Sequence, residues 1–451
     1  MHWKATIVLI CAFGIIKEFR PATPFLTPFL MSPPKNFTNV QVYSEIYPYW
    51  TYSYMVFLVP SFFLTDLLRY KPIVLVEAVS LCVTWILLIW GKTIWQMQIM
   101  QIAFGIASSC EIAYESYMFL IVDQKYYALV ASYTRAATLA GRFFAYALAQ
   151  FLISFKYGSY LLLNQISFVA TCIIIPIGLA FPPITKEMIA NRARKEEAQD
   201  QKQTTNTTNV DQEGGEASKE RGQQISKEST NPDAKPPVEE QTVGDYFRSM
   251  FGHFKVFKRN SLILKWSIWW ALTSCGVYQV MNYAQSLWAT MQIISDTFNG
   301  IAECANTLIG ALISFGVQYM RVNWVARGEY ILFGTSLAIA VFVAIMSQSK
   351  SIAVSYVLYV GNLCLWAEMC TCYSANIASQ LDSASYGFVF GLDTFIALLL
   401  ETILTFAVAD KHGLALYIRE QVPQFLFLLA PQSGMVTCSF FTKACQIGAV
   451  G

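Results

Sequence analysis

Charged side chains are scarce in this chain. Lys, Arg, Asp and Glu together make up 13% of its 451 residues, against about 25% in a typical soluble domain. Hydrophobic residues make up 55% and aromatic residues 15%. This balance excludes an ordinary soluble enzyme or binding domain and is typical of a protein that crosses a lipid bilayer many times.

Residue types that carry catalysis or bind metals are also few. There are three histidines, and the eleven cysteines are scattered through apolar segments, where cysteine behaves as a small buried hydrophobe. The sequence therefore predicts no metal site, no cofactor and no enzyme, since no Ser–His or Cys–His pattern occurs. It has no glycine-rich phosphate loop ending in Lys-Ser or Lys-Thr, which argues against a built-in ATPase. Basic residues lie in loops rather than in stripes, which argues against nucleic-acid binding.

Long apolar segments dominate what is present, and each has the roughly 20 residues that a bilayer requires. The predicted spans lie near 5–29, 47–66, 73–92, 96–121, 127–152, 159–181, 262–288, 295–319, 329–348, 352–378, 386–409 and, more weakly, 417–441. A polar stretch separates the sixth from the seventh. This predicts an all-α membrane protein with twelve transmembrane helices in the 6+6 major-facilitator architecture around a central cavity.

The polar stretch also sets the expected domain organisation. Residues 1–182 form an N-terminal six-helix half, 183–260 a largely disordered linker and 261–451 a C-terminal six-helix half. Positive residues fall in alternate loops on the linker side, so the positive-inside rule places the linker and both termini in the cytoplasm. The sequon at Asn36 then lies outside and is a predicted glycosylation site, whereas the sequon at Asn206 lies inside and is expected to be unused.

Carboxylates inside the apolar segments point to function. Glu111, Tyr114 and Glu115 are spaced i, i+3, i+4, so a helix places all three on one face. A charge at bilayer depth costs about 2.5–3.5 kcal/mol on insertion scales, so it normally faces a bundle interior or an aqueous cavity. The interior is therefore expected to handle a polar substrate, whereas a passive receptor or scaffold would not retain such groups.

Several motifs, taken together, resemble the reduced folate carrier and thiamine transporter family. They include Arg20-Pro21 with Pro24-Phe25-Leu26-Thr27-Pro28-Phe29, Trp50-Thr51-Tyr52-Ser53-Tyr54, Glu111-Ile112-Ala113-Tyr114, Tyr133-Thr134-Arg135-Ala136-Ala137, Tyr283-Ala284-Gln285-Ser286-Leu287-Trp288 and Phe390-Gly391-Leu392-Asp393-Thr394-Phe395. They run in order from about residue 10 to 415. The resemblance implies a plasma-membrane carrier that moves a small vitamin by alternating access.

The charge of the substrate separates the two branches of that family. Folates are dianionic near neutral pH and need fixed positive charges, whereas thiamine is a permanent cation and needs carboxylates and aromatic faces. The resemblance implies arginine at position 111 and lysine at position 401 in the folate carrier, where this chain has Glu111 and Glu401. The cavity is therefore expected to be net negative, which favours thiamine or a similar organic cation. Folate on the same fold is the alternative, and a non-transporting membrane receptor a less favoured one.

The resemblance also implies site residues. Tyr47, Trp50, Glu111, Tyr114 and Asn282 are the implied substrate-binding residues, and Arg135, Arg142, Glu115, Glu303 and Glu401 are candidates for the cavity or for ion coupling. Other roles remain open at this stage. Glu111 could instead pair with Arg135 or Arg142 to hold two helices together, and Tyr47 and Trp50 could belong to an interfacial aromatic belt.

Two departures from the family pattern stand out. Thr23 and Arg142 stand where the thiamine transporters carry a glutamate and a tyrosine, and Arg142 would reduce the negative charge of the pocket. The last span contains Pro423 and Pro431, which indicates either a broken twelfth helix or a variant product with impaired transport. The coupling ion and the oligomeric state are not readable from the sequence: proton coupling through Glu111 or Glu303 and exchange against an intracellular ion fit equally well.

Overall fold

The computed structural model describes residues 3–121, 126–183, 261–292, 297–317, 324–378 and 383–424. These residues form helices and connecting turns, with no strand among them. The α-helices are α1 Trp3–Glu18, α2 Leu26–Met31, α3 Pro48–Leu67, α4 Lys71–Trp90, α5 Ile94–Ile121, α6 Tyr127–Ser154, α7 Tyr160–Leu179, α8 Ser261–Trp288, α9 Asn299–Val317, α10 Trp324–Gln348, α11 Ile352–Ala378, α12 Ser383–Leu404 and α13 Ile418–Gln424. The predicted linker falls outside the described residues apart from Pro183.

Among the described residues, five helical segments are long and apolar enough to cross a membrane by length and composition. They are Lys71–Trp90, Ser132–Ser154, Tyr160–Leu179, Ile331–Gln348 and Gly391–Ala409. The remaining long helices carry more polar residues. Many of those polar side chains are buried. Buried polar side chains are typical of helices that line the interior of a membrane bundle, whereas helices that face lipid carry few of them.

The first predicted span, 5–29, is not one continuous helix. Helix α1 ends at Glu18, a short 3-10 turn follows over Thr23–Phe25, and α2 begins at Leu26. Pro21 and Pro24 explain the break, because proline lacks an N–H donor and disfavours helical backbone in the residue before it. The chain therefore presents a charged segment at the point where the helix is interrupted. Backbone of this kind is tolerated at membrane depth where protein or a cavity surrounds it.

Helices pack first within two groups that follow chain order. Among the N-terminal helices, α1–α7, the main partners are α3 with α5, α4 with α5 and α7, and α1 with α6. Among the C-terminal helices, α8–α13, they are α11 with α9 and α10, and α8 with α12. The two groups meet where α6 packs against α9 and where α3 packs against α12.

Hydrogen bonds join the two groups at one end of the bundle, here called the Asn36 end because the loop after α2 carries that residue. The Thr27 amide donates to Gln285 Oε1 at 3.2 Å, and Gln285 Nε2 donates to the carbonyl of Thr23 at 2.9 Å. Asn299 Nδ2 donates to the carbonyl of Pro24 at 3.0 Å. The break after α1 thus supplies the backbone groups that close this end.

The predicted twelfth span is described only at its start. Helix α13 runs over Ile418–Gln424, after a π-helical turn at Thr405–Ala409 and an irregular stretch. Pro423 lies in this helix, and Pro431 lies outside the described residues. The predicted break at the second proline therefore stays a prediction.

Candidate functional site

A buried lysine is shared by two carboxylates in the N-terminal helices. Lys17 Nζ of α1 lies 2.7 Å from Glu77 Oε1 of α4 and 2.9 Å from Glu111 Oε1 of α5. Its ammonium group also lies 4.7 Å from the centre of the Tyr114 ring. The side chains of Lys17 and Glu77 are 3% and 2% exposed, whereas Glu111 is 41% exposed. We call Lys17, Glu77 and Glu111 the lysine triad.

Glu18, the next residue along α1, is a buried carboxylate shared by two arginines. Glu18 Oε2 accepts from Arg20 Nη2 at 3.0 Å and from Arg142 Nε of α6 at 2.5 Å. Glu18 is 2% exposed and Arg142 is 42% exposed. We call Glu18, Arg20 and Arg142 the arginine triad. Arg142 therefore forms an ion pair with Glu18, whereas Glu111 pairs with Lys17.

The two triads balance each other in charge. The lysine triad holds two carboxylates and one cation, and the arginine triad holds two cations and one carboxylate. The two triads together therefore carry no net charge when all six groups are ionised, because Lys17, Arg20 and Arg142 offset the three carboxylates. The net-negative cavity expected from Glu111 and Glu401 stays a prediction. Among the six triad side chains, Glu111 and Arg142 are the most exposed, at 41% and 42%, and they carry opposite charges.

Aromatic rings of α3 and α5 lie next to Ser108, which is one helical turn before Glu111 on α5. Trp50 Nε1 of α3 donates to Ser108 Oγ at 3.1 Å, and Ser108 precedes Glu111 by three residues on α5. The Trp50 ring lies 5.8 Å from that of Tyr54 and 6.2 Å from that of Phe104. A half-exposed carboxylate next to flat aromatic faces can hold an organic cation.

Tyr114 supports this wall from behind rather than lining it. Its side chain is buried, its hydroxyl donates to the carbonyl of Ile10 at 3.0 Å, and its ring stacks on Phe13 at 5.2 Å. Tyr47 is also buried, at the Asn36 end, where its hydroxyl lies 2.6 Å from Thr27 Oγ1. Tyr114 therefore lies behind the Glu111 wall and Tyr47 lies at the Asn36 end, and both side chains are buried.

A second polar cluster lies in the C-terminal helices around Glu401 of α12. Asn282 Nδ2 of α8 donates to Glu401 Oε1 at 2.7 Å. Gln279 Nε2 donates to the backbone carbonyl of Glu401 at 3.1 Å and to Thr405 Oγ1 at 2.6 Å. Glu401 is fully buried, and no hydrogen-bond partner of its Oε2 lies within the described part of the chain.

Glu303 occupies a separate position on α9. Its Oε1 accepts from the Tyr359 hydroxyl of α11 at 2.7 Å, and Trp288 packs edge-on against the Tyr359 ring at 4.9 Å. Glu303 interacts electrostatically with Tyr146 of α6, which also interacts with Arg142. Tyr146 therefore lies between a polar residue of the C-terminal helices, Glu303, and one of the N-terminal helices, Arg142.

The other candidates are placed as follows. Arg135 lies on α6 with an exposed side chain. Glu115 lies in α5, but its side chain falls outside what the structure describes. Asn36 is exposed in the loop after α2, as a glycan acceptor requires. The described residues contain no cluster of three or more His, Cys, Asp or Glu that could hold a metal ion.

Four members of the triads were not predicted as site residues: Lys17, Glu18, Arg20 and Glu77. Lys17, Glu18 and Arg20 form a charged run at the end of an apolar segment, which was a signal for interior chemistry. Glu77 stands within an otherwise apolar predicted span, at 73–92. A carboxylate in such a span was the signal that could have identified it.

An apolar groove between α6 and α9 is not this site. It has a volume of about 400 Å3 and is lined mainly by hydrophobic side chains such as Phe143, Phe151 and Leu308. It offers no charged group to a polar substrate, and its walls are those expected beside lipid tails.

Comparison with known proteins identifies the family. A sequence profile described as reduced folate carrier matches residues 1–424. The chain belongs to the reduced folate carrier family. Folate transporter 1 of Caenorhabditis elegans is 43% identical over 93% of this chain and 88% of its own length. Thiamine transporter 1 of Homo sapiens is 37% identical over 93% of this chain and 86% of its own length.

Solved structures agree on the fold. A point mutant of the nucleoside transporter NupG superposes with a TM-score of 0.61 at 10% identity, covering 97% of this chain and all of that one. A D-xylose–proton symporter superposes with a TM-score of 0.60 at 10% identity, covering 95% and 97%. The predicted fold class is confirmed: the protein is an all-α membrane transporter with the major-facilitator architecture.

Proposed function

We propose that this member of the reduced folate carrier family carries a vitamin across the plasma membrane by alternating access, and that thiamine or a similar organic cation is its substrate. The observation that carries the proposal is Glu111. Its carboxylate is 41% exposed in the middle of α5, although the surrounding segment is apolar. Trp50 of α3 donates a hydrogen bond to Ser108, which lies one helical turn before Glu111 on α5.

The chemistry of this wall suits a cationic aromatic ring. A thiazolium ring can stack on the Trp50 indole while Glu111 supplies the opposite charge. The similarity to thiamine transporters of mouse and human, at 38% and 37% identity, supports the same assignment.

Folate is the second candidate, because a specific observation favours it. Arg142 is 42% exposed and Arg135 is also exposed on α6, so α6 presents two cations that could hold the carboxylates of an anionic vitamin. The relative from C. elegans with 43% identity is named a folate transporter. In this arrangement Glu111 would serve the lysine triad and not the substrate.

Uptake of labelled thiamine and labelled folate by cells that express the chain tests the proposal. We expect saturable thiamine uptake that Glu111→Gln reduces at least tenfold, with folate uptake near background. The matched control is Glu420→Gln, which makes the same chemical change at an exposed residue of α13. Folate uptake that Glu111→Gln leaves unchanged would reject the cation proposal and support the second candidate.

The organisation in the membrane belongs to the same proposal. Residues 1–182 and 261–451 act as two six-helix halves joined by the 183–260 linker. The linker and both termini lie in the cytoplasm, and the Asn36 end faces outside. The positive-inside distribution of Lys and Arg supports this orientation.

A further inference from the structure

The lysine triad contains an acceptor atom for which the described residues provide no donor. Glu77 is 2% exposed, and its Oε2 is buried without a hydrogen-bond partner among the described residues, while Oε1 contacts Lys17. A buried carboxylate oxygen without a donor is costly. A proton on this carboxylate would remove its charge, and with it most of the cost of burying the group.

Charge counting gives the consequence of such a proton. With both carboxylates ionised, Lys17 is shared and the triad carries one uncompensated negative charge. With Glu77 neutral, Glu111 is the remaining anion of the triad, so Lys17 is held on Glu111. The charged and titratable groups that face Glu77 from the neighbouring helices are Lys17 and Glu18 of α1 and Cys110, Glu111 and Tyr114 of α5.

We propose that Glu77 is a proton-binding site, and that its ionisation draws Lys17 away from Glu111 and so opens Glu111 to the substrate. Lys17 is then a tethered cation that competes with the substrate's own cation for one carboxylate. The distances fit this exchange, because Lys17 Nζ already contacts both carboxylates, at 2.7 and 2.9 Å. The inference rests on the proposed function, since it requires a cationic substrate at Glu111.

Proton balance follows from the same geometry. Substrate binding places a second cation beside Glu111 and Glu77, and Glu77 then releases its proton to solvent. The two ionised carboxylates are then matched by Lys17 and the bound cation. The site is therefore neutral both before binding, with Glu77 protonated and no substrate, and after binding, with one proton released to solvent.

Binding of labelled thiamine to the purified full-length chain at pH 5.5, 6.5 and 7.5 tests the inference. For the wild type we expect affinity to rise by about tenfold over this range, which equals about 1.4 kcal/mol. Glu77→Gln keeps Lys17 on Glu111, so its affinity should be low and independent of pH. The double variant Lys17→Met/Glu77→Gln removes the competitor as well, so its affinity should be high and equally independent of pH.

These opposite effects separate the inference from a structural role, because damage to the fold would weaken binding in both variants. Both variants are expected to bind thiamine independently of pH, so a pH dependence that both retained would come from titration of thiamine itself. A Glu77→Gln variant with the pH profile of the wild type would overturn the inference and leave the proposed function intact. Absence of thiamine binding in the wild type and in the double variant would instead reject the proposed function.

Discussion

Removal of Lys17 leaves two carboxylates facing each other without a cation. Breaking a buried ion pair by removing one partner costs about 3–5 kcal/mol, because the remaining charge is buried and unpaired. We therefore expect Lys17→Met to lower the thermal stability of the purified protein by this amount. The measurement is a melting curve by intrinsic fluorescence in detergent.

The rescue of this variant is the sharper part of the prediction. Adding Glu77→Gln removes one of the two negative charges, so Lys17→Met/Glu77→Gln should recover most of the lost stability. Lys156→Met, at an exposed lysine that follows α6, serves as the control for the loss of a surface charge. Equal destabilisation of the single and the double variant would contradict the charge argument.

Arg142 is expected to set the discrimination between substrates. It is the exposed member of the arginine triad, and Glu18 keeps Arg20 as a partner at 3.0 Å when Arg142 is replaced. Arg142→Gln makes the cavity more negative, so we expect a lower KM for thiamine by about threefold to tenfold and weaker inhibition of uptake by folate. Competition uptake assays measure both.

Lys156→Gln removes one positive charge beyond the end of α6 and is the matched control for Arg142→Gln. If inhibition by folate were equally strong in the wild type and in Arg142→Gln, Arg142 would have no part in anion recognition. Its role would then be limited to neutralising Glu18.

Lys35 provides a pH dependence outside the helices. Its side chain is 6% exposed in the loop after α2, where its ammonium donates to the carbonyl groups of Gly91 and Ile89. Burial, assisted by the charge of Lys92, lowers the pKa of Lys35 to about 8. The folded protein then binds fewer protons than the unfolded chain between about pH 8 and the ordinary lysine value, so stability rises with pH in that window.

We expect the wild type to gain about 1–2 kcal/mol relative to Lys35→Met between pH 7.5 and 9.5. Melting curves of the two proteins across this range give the difference. The exposed Lys156→Met should follow the wild type at every pH. A constant offset between the wild type and Lys35→Met would show that the lysine titrates as it does in water.

Helix packing depends on a close approach between α1 and α6. A side chain at Gly141 would overlap the backbone carbonyl oxygen of Ile15, because the two helices touch at this glycine. Overpacking of this kind costs about 1–3 kcal/mol. We expect Gly141→Ala to lower the melting temperature and to reduce uptake, since α1 carries Lys17 and α6 carries Arg142.

The chain offers a matched control for this change on α9. No atom lies within 4 Å of the position that a side chain at Gly310 would take, so Gly310→Ala should leave stability and uptake near those of the wild type. Equal behaviour of the two alanine variants would contradict the close contact between α1 and α6.

The sequence predicted some helices closely, but it did not predict the break in the first span or the ion pairs between helices. Long apolar runs near 73–92 and 159–181 correspond closely to α4 and α7, because length and hydropathy alone require a spanning helix there. The break in the first span was missed, although Pro21 and Pro24 are local signals for it. The pairing of Lys17 with Glu77 and Glu111 was beyond reach, because it depends on how three helices pack and not on spacing along any one of them.

At the scale of the whole molecule, contacts between the two helix groups gather at the Asn36 end. Tyr52 of α3 donates to Asp410 Oδ2 at 2.7 Å, and Lys411 Nζ lies 3.0 Å from Glu45 Oε2. These bonds add to those that join the break after α1 to Gln285 and Asn299. This conformation is therefore closed at the Asn36 end, and substrate access at that end requires these bonds to open.

Whether the closed end faces outside depends on the orientation, which the two sequons test. Asn36 is exposed in the loop after α2 and should carry a glycan if this end is extracellular. We expect Asn36→Gln to abolish the shift in gel mobility that glycosidase treatment produces. Asn206→Gln, at the sequon of the predicted cytoplasmic linker, should leave that shift unchanged. A shift lost with Asn206→Gln and retained with Asn36→Gln would reverse the orientation, and the closed Asn36 end would then be the cytoplasmic one.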